Sequence, residues 1–110
     1  MNTIFITTSF EGIHCWNDAP DEVSFLRFPH RHIFGVRVEI EIRHDDREIE
    51  FILFKNYINE LVKRFEGDNR ALSCEMMAQQ MLDQIASKYP ARCVSVEVNE
   101  DGENGAIVRK

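Results

Sequence analysis

The chain has 110 residues, of which 44 % are hydrophobic and 29 % are charged, with a formal net charge of −6. These values predict one globular domain over residues 1–110; the acidic balance disfavours nucleic-acid binding, and no apolar run reaches the roughly 20 residues of a membrane span. The start of the chain shows no secretion signal and the three cysteines form no CxxC pair, so a cytoplasmic protein with free thiols is expected.

The first part of the chain predicts two strands that carry histidines on one face. Three segments follow one another: a β-branched and aromatic strand at 3–16, a loop rich in proline and aspartate at 17–29, and a strand at 30–42. Apolar and charged residues alternate in the second strand, which places His30 and His32 on its inward face. His14 continues the apolar face of the first strand.

The second part predicts two helices followed by two strands. Phe54, Ile58 and Leu61 recur at helical spacing, Ser73 is a good N-cap, and Pro90 ends a helix. The predicted elements are a turn at 44–47, an extended piece at 48–51, a helix at 53–65, a turn at 66–70, a helix from 74 to 89, a strand at 94–100, a hairpin loop at 101–105 and a strand at 106–109.

The element order predicts an α+β fold. With the order ββααββ, the economical packing is a four-stranded antiparallel sheet with both helices on one face. Such a small sheet leaves exposed edge strands, and exposed edges favour self-association or edge protection.

The spacing of the histidines predicts a metal site. His-x-His on a strand directs two imidazoles to the same side, roughly 7 Å apart along the chain. If the two N-terminal strands pair antiparallel across the loop, His14 comes close to His30 and His32. Three histidines with one open position are typical of a reactive zinc site. The alternative is that each is a polar residue near a strand end; His44, in a charged turn, is interpreted as solvated.

Five short elements also occur in an order typical of one protein family. They are Phe10 with His14, His30-Arg31-His32-Ile33-Phe34, Glu50-Phe51 with Lys55, Leu72-Ser73-Cys74-Glu75-Met76, and Glu100 with Ala106-Ile107-Val108. By these elements the chain resembles the 6-pyruvoyltetrahydropterin synthase and 6-carboxytetrahydropterin synthase family, whose subunits have the T-fold. The resemblance implies Zn²⁺ bound by His14, His30 and His32, a pterin ligand, and subunits joined into barrels as trimers or hexamers.

Two further residues match positions that hold the pterin in the family. Glu100 corresponds to a carboxylate that anchors the ring, and a carboxylate can accept two parallel N–H groups from a 2-amino-4-oxo ring. Its alternative role is that of an edge carboxylate in an acidic turn. Ser73 corresponds to a threonine that helps to hold the ring, but as a helix N-cap it needs no ligand.

The catalytic elements of the family are incomplete in this chain. The resemblance implies a carbon–oxygen lyase that uses a cysteine supported by an Asp-His pair, but Leu26 stands at the usual cysteine position and no Asp-His element lies between the helices. Arg31 replaces the usual glycine between the histidines. Cys74 and Asp68 are the remaining candidates for a base; a cysteine at a helix start tends to have a lowered pKa, although a buried structural cysteine is the alternative.

Two functions therefore stay open at this point. The first is a zinc-dependent, tetrahydropterin synthase-like enzyme acting on a ligand of the dihydroneopterin triphosphate type. The second is a non-catalytic, oligomeric T-fold that binds or sequesters a pterin, purine or related nucleotide. A third hypothesis is a structural oligomer with a vestigial pocket. Arg27, Arg31 and Arg70 can contact phosphates or serve only as solubilising surface charges.

Overall fold

The structure, a computed structural model, describes residues 1–69 and 71–110; Arg70 lies outside them. Over this range the chain forms a five-stranded sheet with the strand order β3-β1-β2-β4-β5 and two α-helices. The elements in chain order are β1 (Asn2–His14), β2 (His30–Ile42), α1 (Phe51–Val62), β3 (Gly67–Asp68), α2 (Cys74–Lys88), β4 (Val94–Glu100) and β5 (Asn104–Arg109). The mixed α+β class is as expected.

The strand register positions the histidines. β1 and β2 pair antiparallel along their full length, from Asn2 opposite Ile42 to His14 opposite His30. No residue is inserted in either strand, so the period-two alternation continues to the end of the sheet. β2 also pairs antiparallel with β4, and Phe34 lies opposite Glu100. The last residues of β1 and β4 therefore flank the first residues of β2.

The expectation of a four-stranded antiparallel sheet is wrong. A short fifth strand, β3, pairs parallel with β1 at Gly12 and Ile13. The segment was expected to form only a turn. Two residues are too few to show any periodicity, and the strand exists only because β1 offers a free edge; the Asn69 N–H extends the contact by donating to the Ile13 carbonyl at 3.0 Å.

Smaller differences concern segments without a repeating pattern. The expected loop at 17–29 contains a 3₁₀ segment, Asp21–Arg27. The extended piece expected at 48–51 is absent from the described structure: residues 48 and 49 form bends and α1 already begins at Phe51. The Glu50 carboxylate caps α1 by accepting from the backbone N–H groups of Ile52 and Leu53. α1 continues as a 3₁₀ turn over Lys63–Phe65. Only the start of α1 is set by a side-chain cap, which periodicity does not report, whereas both 3₁₀ segments are closed at their ends by backbone N–H groups.

Both helices contribute to one core on the inward face of the sheet. The core side chains of α1 and α2 pack with those of the strands; the largest fully buried ones are Phe34, Phe54, Phe65, Ile40, Ile58, Met77, Met81 and Ile85. The Ser73 hydroxyl accepts from the Met76 N–H at 3.1 Å and caps α2, as expected from the sequence. In the described ranges, no helix is both long and apolar enough to span a membrane.

The ion pair between Glu48 and Arg92 makes stability depend on acid pH. Arg92 donates two hydrogen bonds to the Glu48 carboxylate, at 2.7 and 2.6 Å, and the Arg43 N–H adds a third at 2.8 Å. These contacts, with the Arg92 side chain first, lower the pKa of Glu48 from 4.5 to about 2. Since the folded-state pKa is lowered, the stabilisation is present above pH 4.5 and is lost as the pH falls towards 2.

We therefore expect Glu48→Gln to flatten the decline in the free energy of unfolding between pH 4.5 and 2. Urea unfolding at a series of pH values measures it, with the exposed Glu22→Gln as the matched control. The slope does not vanish, because the pKa of Asp101 is also lowered, chiefly by His32. An equally steep decline in both variants would contradict the assignment.

Candidate metal centre and cleft

Three imidazoles and one carboxylate converge at one end of the sheet. His14 ends β1, His30 begins β2 opposite to it, and His32 follows on the same face. The ring centroids are 4.6 Å apart for His14 and His30, 5.4 Å for His14 and His32, and 4.9 Å for His30 and His32. Glu100, the last residue of β4, joins them, and one ligand atom from each of the four lies within 4.8 Å of the others. This group can hold a metal ion.

Each imidazole is oriented by an oxygen at its Nδ1. The partners are the Leu72 carbonyl for His14 at 2.8 Å, the Phe28 carbonyl for His30 at 2.9 Å, and the Asp101 carboxylate for His32 at 2.8 Å. Carbonyl and carboxylate oxygens accept, so each Nδ1 must carry the proton and donate it. Each Nε2 of a neutral ring then has a free lone pair, which is the arrangement that metal-binding histidines adopt.

The Nε2 atoms are directed inward without conventional partners. Among the described residues, the Nε2 atoms of His14 and His30 are buried and have no hydrogen-bond partner. The Nε2 of His14 lies 3.0 Å from Oε2 of Glu100 and that of His32 lies 3.5 Å from it. A lone-pair nitrogen and a carboxylate oxygen are both acceptors, so this approach is unfavourable unless a proton or a metal cation lies between them.

The separations suit zinc. Zn–N distances of about 2.0–2.1 Å in a tetrahedron correspond to roughly 3.3 Å between neighbouring ligand atoms. The two measured separations from Oε2 of Glu100, 3.0 and 3.5 Å, lie on either side of that value. The donor set of imidazoles and a carboxylate also matches the ligands that zinc accepts. The residues therefore fit the metal that was expected from the sequence.

Phe34 forms the apolar floor of this cluster. Its ring meets those of His14 and His32 edge-on, with centroids 5.2 and 5.6 Å away, and stacks on Phe10 at 5.1 Å. A Cβ at Gly12 would lie only 3.0 Å from the Phe34 ring, so the glycine leaves room for it. Apolar packing below the imidazoles lowers the local dielectric and strengthens electrostatic interactions at the site.

A cleft of about 520 Å³ opens beside the cluster. Its lining combines the metal group with the start of α2 and the beginning of β5, and includes His14, His30, Trp16, Leu26, Ser73, Cys74, Glu75, Glu100 and Asn104. The structure thus brings Ser73 and Glu100, the two expected ring-binding residues, to one cleft. The hydroxyl oxygen of Ser73 accepts the α2 capping bond, which leaves its own proton available to a ligand.

Cys74 does not have the lowered pKa that its place at a helix start predicted. It is buried, and desolvation, reinforced by the charges of Glu100 and Glu75, raises the pKa of its thiol from 9.0 to about 12. Burial outweighs the helix terminus here because the thiolate loses its water. At neutral pH the thiol stays protonated and is a poor base or nucleophile.

Accordingly, thiol reagents are expected to distinguish the three cysteines. Cys93 is exposed and Cys15 half-buried, whereas Cys74 is buried. In the folded protein at pH 8 we expect Cys93 and Cys15 to react with a chromogenic disulfide, and Cys74 to react only after urea unfolding. Mass spectrometry of the labelled peptides, with Cys74→Ser as the control, identifies each site. Rapid labelling of Cys74 in the native protein would contradict its assignment.

The other candidates lie outside the cluster. Asp68 is on β3 beside Ile13; it is neither in the metal group nor among the residues lining the cleft. Arg27 pairs with Asp21 at 2.9 Å, and Arg31 pairs with Glu11. Both arginines therefore already have carboxylate partners.

Asp101 is the site residue that sequence reasoning missed. Its carboxylate holds Nδ1 of His32 with one oxygen and the Ile33 N–H with the other, at 2.8 and 2.9 Å. Its own N–H donates to the Ile33 carbonyl at 2.8 Å. It follows Glu100 directly, so one hairpin supplies both acidic groups. The only signal was an acidic turn, which is usually a solvated loop.

The fold is that of known synthases. A 6-pyruvoyltetrahydropterin synthase from Plasmodium vivax, a mutant at a catalytic residue, superposes with a TM-score of 0.76 and 15 % identity, covering 99 % of this chain and 97 % of that chain. For the Plasmodium falciparum 6-pyruvoyltetrahydropterin synthase the TM-score is 0.70, with 14 % identity and 98 % coverage of both chains. Another Plasmodium vivax structure gives 0.71 and 13 %, with 100 % and 99 % coverage.

Sequence comparison alone does not find these relationships. No protein-family model matches the chain, and no curated protein matches it. The similarity is therefore one of backbone architecture, extending over almost the whole of each chain. The T-fold expected from the five sequence elements is confirmed at the level of fold, and the chain has the fold of the 6-pyruvoyltetrahydropterin synthases.

Proposed function

We propose that this protein binds Zn²⁺ through His14, His30 and His32 and holds a pterin-like or purine-like heterocycle in the adjoining cleft. The observation that carries the proposal is the convergence of the imidazoles, with every Nδ1 bound to an oxygen and the Nε2 atoms of His14 and His30 buried without a hydrogen-bond partner in the described part of the chain. The neighbours in fold, described as 6-pyruvoyltetrahydropterin synthases, support the ligand class.

The residues of the cleft suit a flat ring with N–H groups. The Glu100 carboxylate lines the cleft and can accept N–H donors, while the Ser73 hydroxyl can donate to a ring oxygen or nitrogen. Trp16 and Leu26 add apolar surface to the lining of the cleft. Bound zinc would supply Lewis acidity towards a ligand hydroxyl.

Catalysis and simple binding differ in their need for a base. The enzyme hypothesis is a carbon–oxygen lyase of the tetrahydropterin synthase type. The alternative, a T-fold that binds or sequesters its ligand, is favoured by the protonated Cys74 thiol and by Leu26 at the usual cysteine position. Incubating zinc-loaded protein with dihydroneopterin triphosphate separates them: product above a His32→Ala control indicates an enzyme, whereas ligand recovered unchanged indicates a binding protein.

We also propose that copies of this chain associate through their sheet edges. β5 is at one end of the described sheet, and the two-residue β3 covers only part of β1 at the other. Among the residues that the structure describes, Phe5, Ile13, Ile33 and Ile107 are exposed apolar side chains on the outer face of the sheet. Edge pairing between copies would satisfy backbone groups and extend the sheet towards a trimeric or hexameric barrel.

One measurement tests all parts of the proposal together. Native mass spectrometry of freshly purified protein is expected to show one zinc per chain, a bound small heterocycle and a trimer or hexamer. Metal-free monomers that stay monomeric and bind no zinc on titration would contradict the proposal.

Because Asp101 positions His32, we expect the Asp101 carboxylate to contribute to zinc affinity. Asp101→Asn keeps the size of the side chain but removes the carboxylate that fixes the proton on Nδ1. The loss of such an outer partner typically lowers metal affinity by about 10–100-fold. Zinc titration against a chelating dye measures the change. Glu103→Gln, on the same hairpin, is the control, and equal affinities for the two variants would argue against this role for Asp101.

A further inference from the structure

Glu100 has two possible roles, and its contacts distinguish them. To anchor a heterocycle by two parallel N–H bonds, a carboxylate must present both oxygens to the ring. In the structure the oxygens are divided: Oε1 accepts from the Asn104 amide at 3.0 Å, whereas Oε2 lies among the imidazoles, 3.0 Å from His14 and 3.5 Å from His32. This orientation is that of a group directed at the same point as the histidine nitrogens.

We infer that Glu100 is the fourth ligand of the metal, so that this chain closes its own site with three histidines and a carboxylate. The inference rests on the proposed zinc site. Its support is the common grouping of the four donor atoms within 4.8 Å and the buried Nε2 of His14, which lies 3.0 Å from Oε2 of Glu100. A site with four protein ligands has no open position for water, unlike the three-ligand site that the sequence suggested.

The backbone around Glu100 holds this arrangement in place. The Glu100 carbonyl accepts from the Glu103 N–H at 2.9 Å, and the next residue, Asp101, is bound to Ile33 of the neighbouring strand. The Asn104 amide, three residues beyond Asp101, fixes the second carboxylate oxygen. The carboxylate is therefore preorganised towards the imidazoles.

Ring binding and metal coordination both involve the Glu100 carboxylate. A ring that takes both oxygens of Glu100 can share Oε1 with the Asn104 amide, because a carboxylate oxygen has two lone pairs, but it competes with the metal for Oε2. The fourth coordination position then becomes available only when a ligand is present. Ring binding and opening of the metal centre are thereby coupled, and the coupling acts equally in both directions.

The test uses the full chain loaded with Co²⁺, whose visible spectrum reports its coordination. In the wild type, millimolar azide is expected to leave the spectrum unchanged, because Glu100 occupies the fourth position. In Glu100→Gln the spectrum is expected to shift on addition of azide, and the Co²⁺ affinity to fall about tenfold or more. The isosteric control Glu103→Gln, on the same hairpin, should behave as the wild type does.

The outcomes separate this inference from the proposed function. A wild-type spectrum that shifts with azide, or a Glu100→Gln variant with the wild-type spectrum and affinity, would overturn the fourth-ligand role while leaving the three-histidine site intact. Unchanged Co²⁺ binding in His32→Ala would instead remove the metal site itself. The azide titration of the wild type remains decisive even if Glu100→Gln does not fold.

Discussion

Replacing His14 with alanine is expected to lower zinc affinity by about a hundredfold or more. Structural zinc sites bind with about 10–16 kcal/mol, so that one ligand of four accounts for roughly 3 kcal/mol. His14 is the most buried of the three imidazoles, and its Nε2 lies 3.0 Å from Oε2 of Glu100, compared with 3.5 Å for the Nε2 of His32. The variant leaves that carboxylate facing only the two histidines of β2.

Competition with a chelating dye measures this affinity, and circular dichroism verifies that the variant is folded. His44→Ala is the matched control, because His44 lies in the exposed turn after β2, where its ring accepts a local hydrogen bond from the N–H of Asp46 at 3.3 Å. We expect this control to bind zinc as the wild type does. Equal zinc affinity in the His14 and His44 variants would contradict a metal role for His14.

Replacing Phe34 with alanine is expected to lower the free energy of unfolding by about 3–5 kcal/mol. The ring is completely buried and contacts Phe10 from β1 as well as the imidazoles of His14 and His32. Its removal would leave a cavity below the metal group, where the fully paired central strand β2 cannot readily collapse. The cost combines the lost transfer energy with the cavity energy.

Urea unfolding of metal-free protein measures this effect without contribution from zinc. Ile33→Ala, one residue earlier and on the outer face of the same strand, is the control; Ile33 is 43 % exposed, so its truncation should change stability by only about 0.5 kcal/mol. A Phe34→Ala cost no larger than that of Ile33→Ala would show that the ring does not support the core as described.

The histidine cluster shows which features of the site the side-chain periodicity of the strands can predict. Alternation in β2 places His30 and His32 on one face, and an uninterrupted antiparallel pairing brings His14 opposite His30. Each step depends on near neighbours in sequence or on one hairpin, and such local information is present in the pattern of side chains. The helix stripes and the Ser73 cap follow for the same reason.

The short strand β3, the start of α1 and the pKa of Cys74 show where sequence reasoning fails. β3 forms by pairing with the free edge of β1, which is distant from it in sequence. α1 starts where the Glu50 carboxylate accepts from two backbone N–H groups. The Cys74 thiol was expected to have a lowered pKa from its position on the helix, but burial in the assembled core raises it. β3 and the raised pKa of Cys74 arise from packing between elements, whereas the start of α1 is set by a local side-chain cap that periodicity does not report.

Side-chain periodicity is sufficient to predict the α+β class, the main strands and helices, and the face on which the three histidines lie, because these features follow the two-residue and 3.6-residue periods of local backbone geometry. Packing of the folded chain establishes the contacts of Oε2 of Glu100 with the imidazoles, of Asp101 with His32, and of β3 with β1. Those contacts join residues up to 86 positions apart, such as His14 and Glu100, and distances of a few ångströms between such groups are set by the packed sheet rather than by any local pattern.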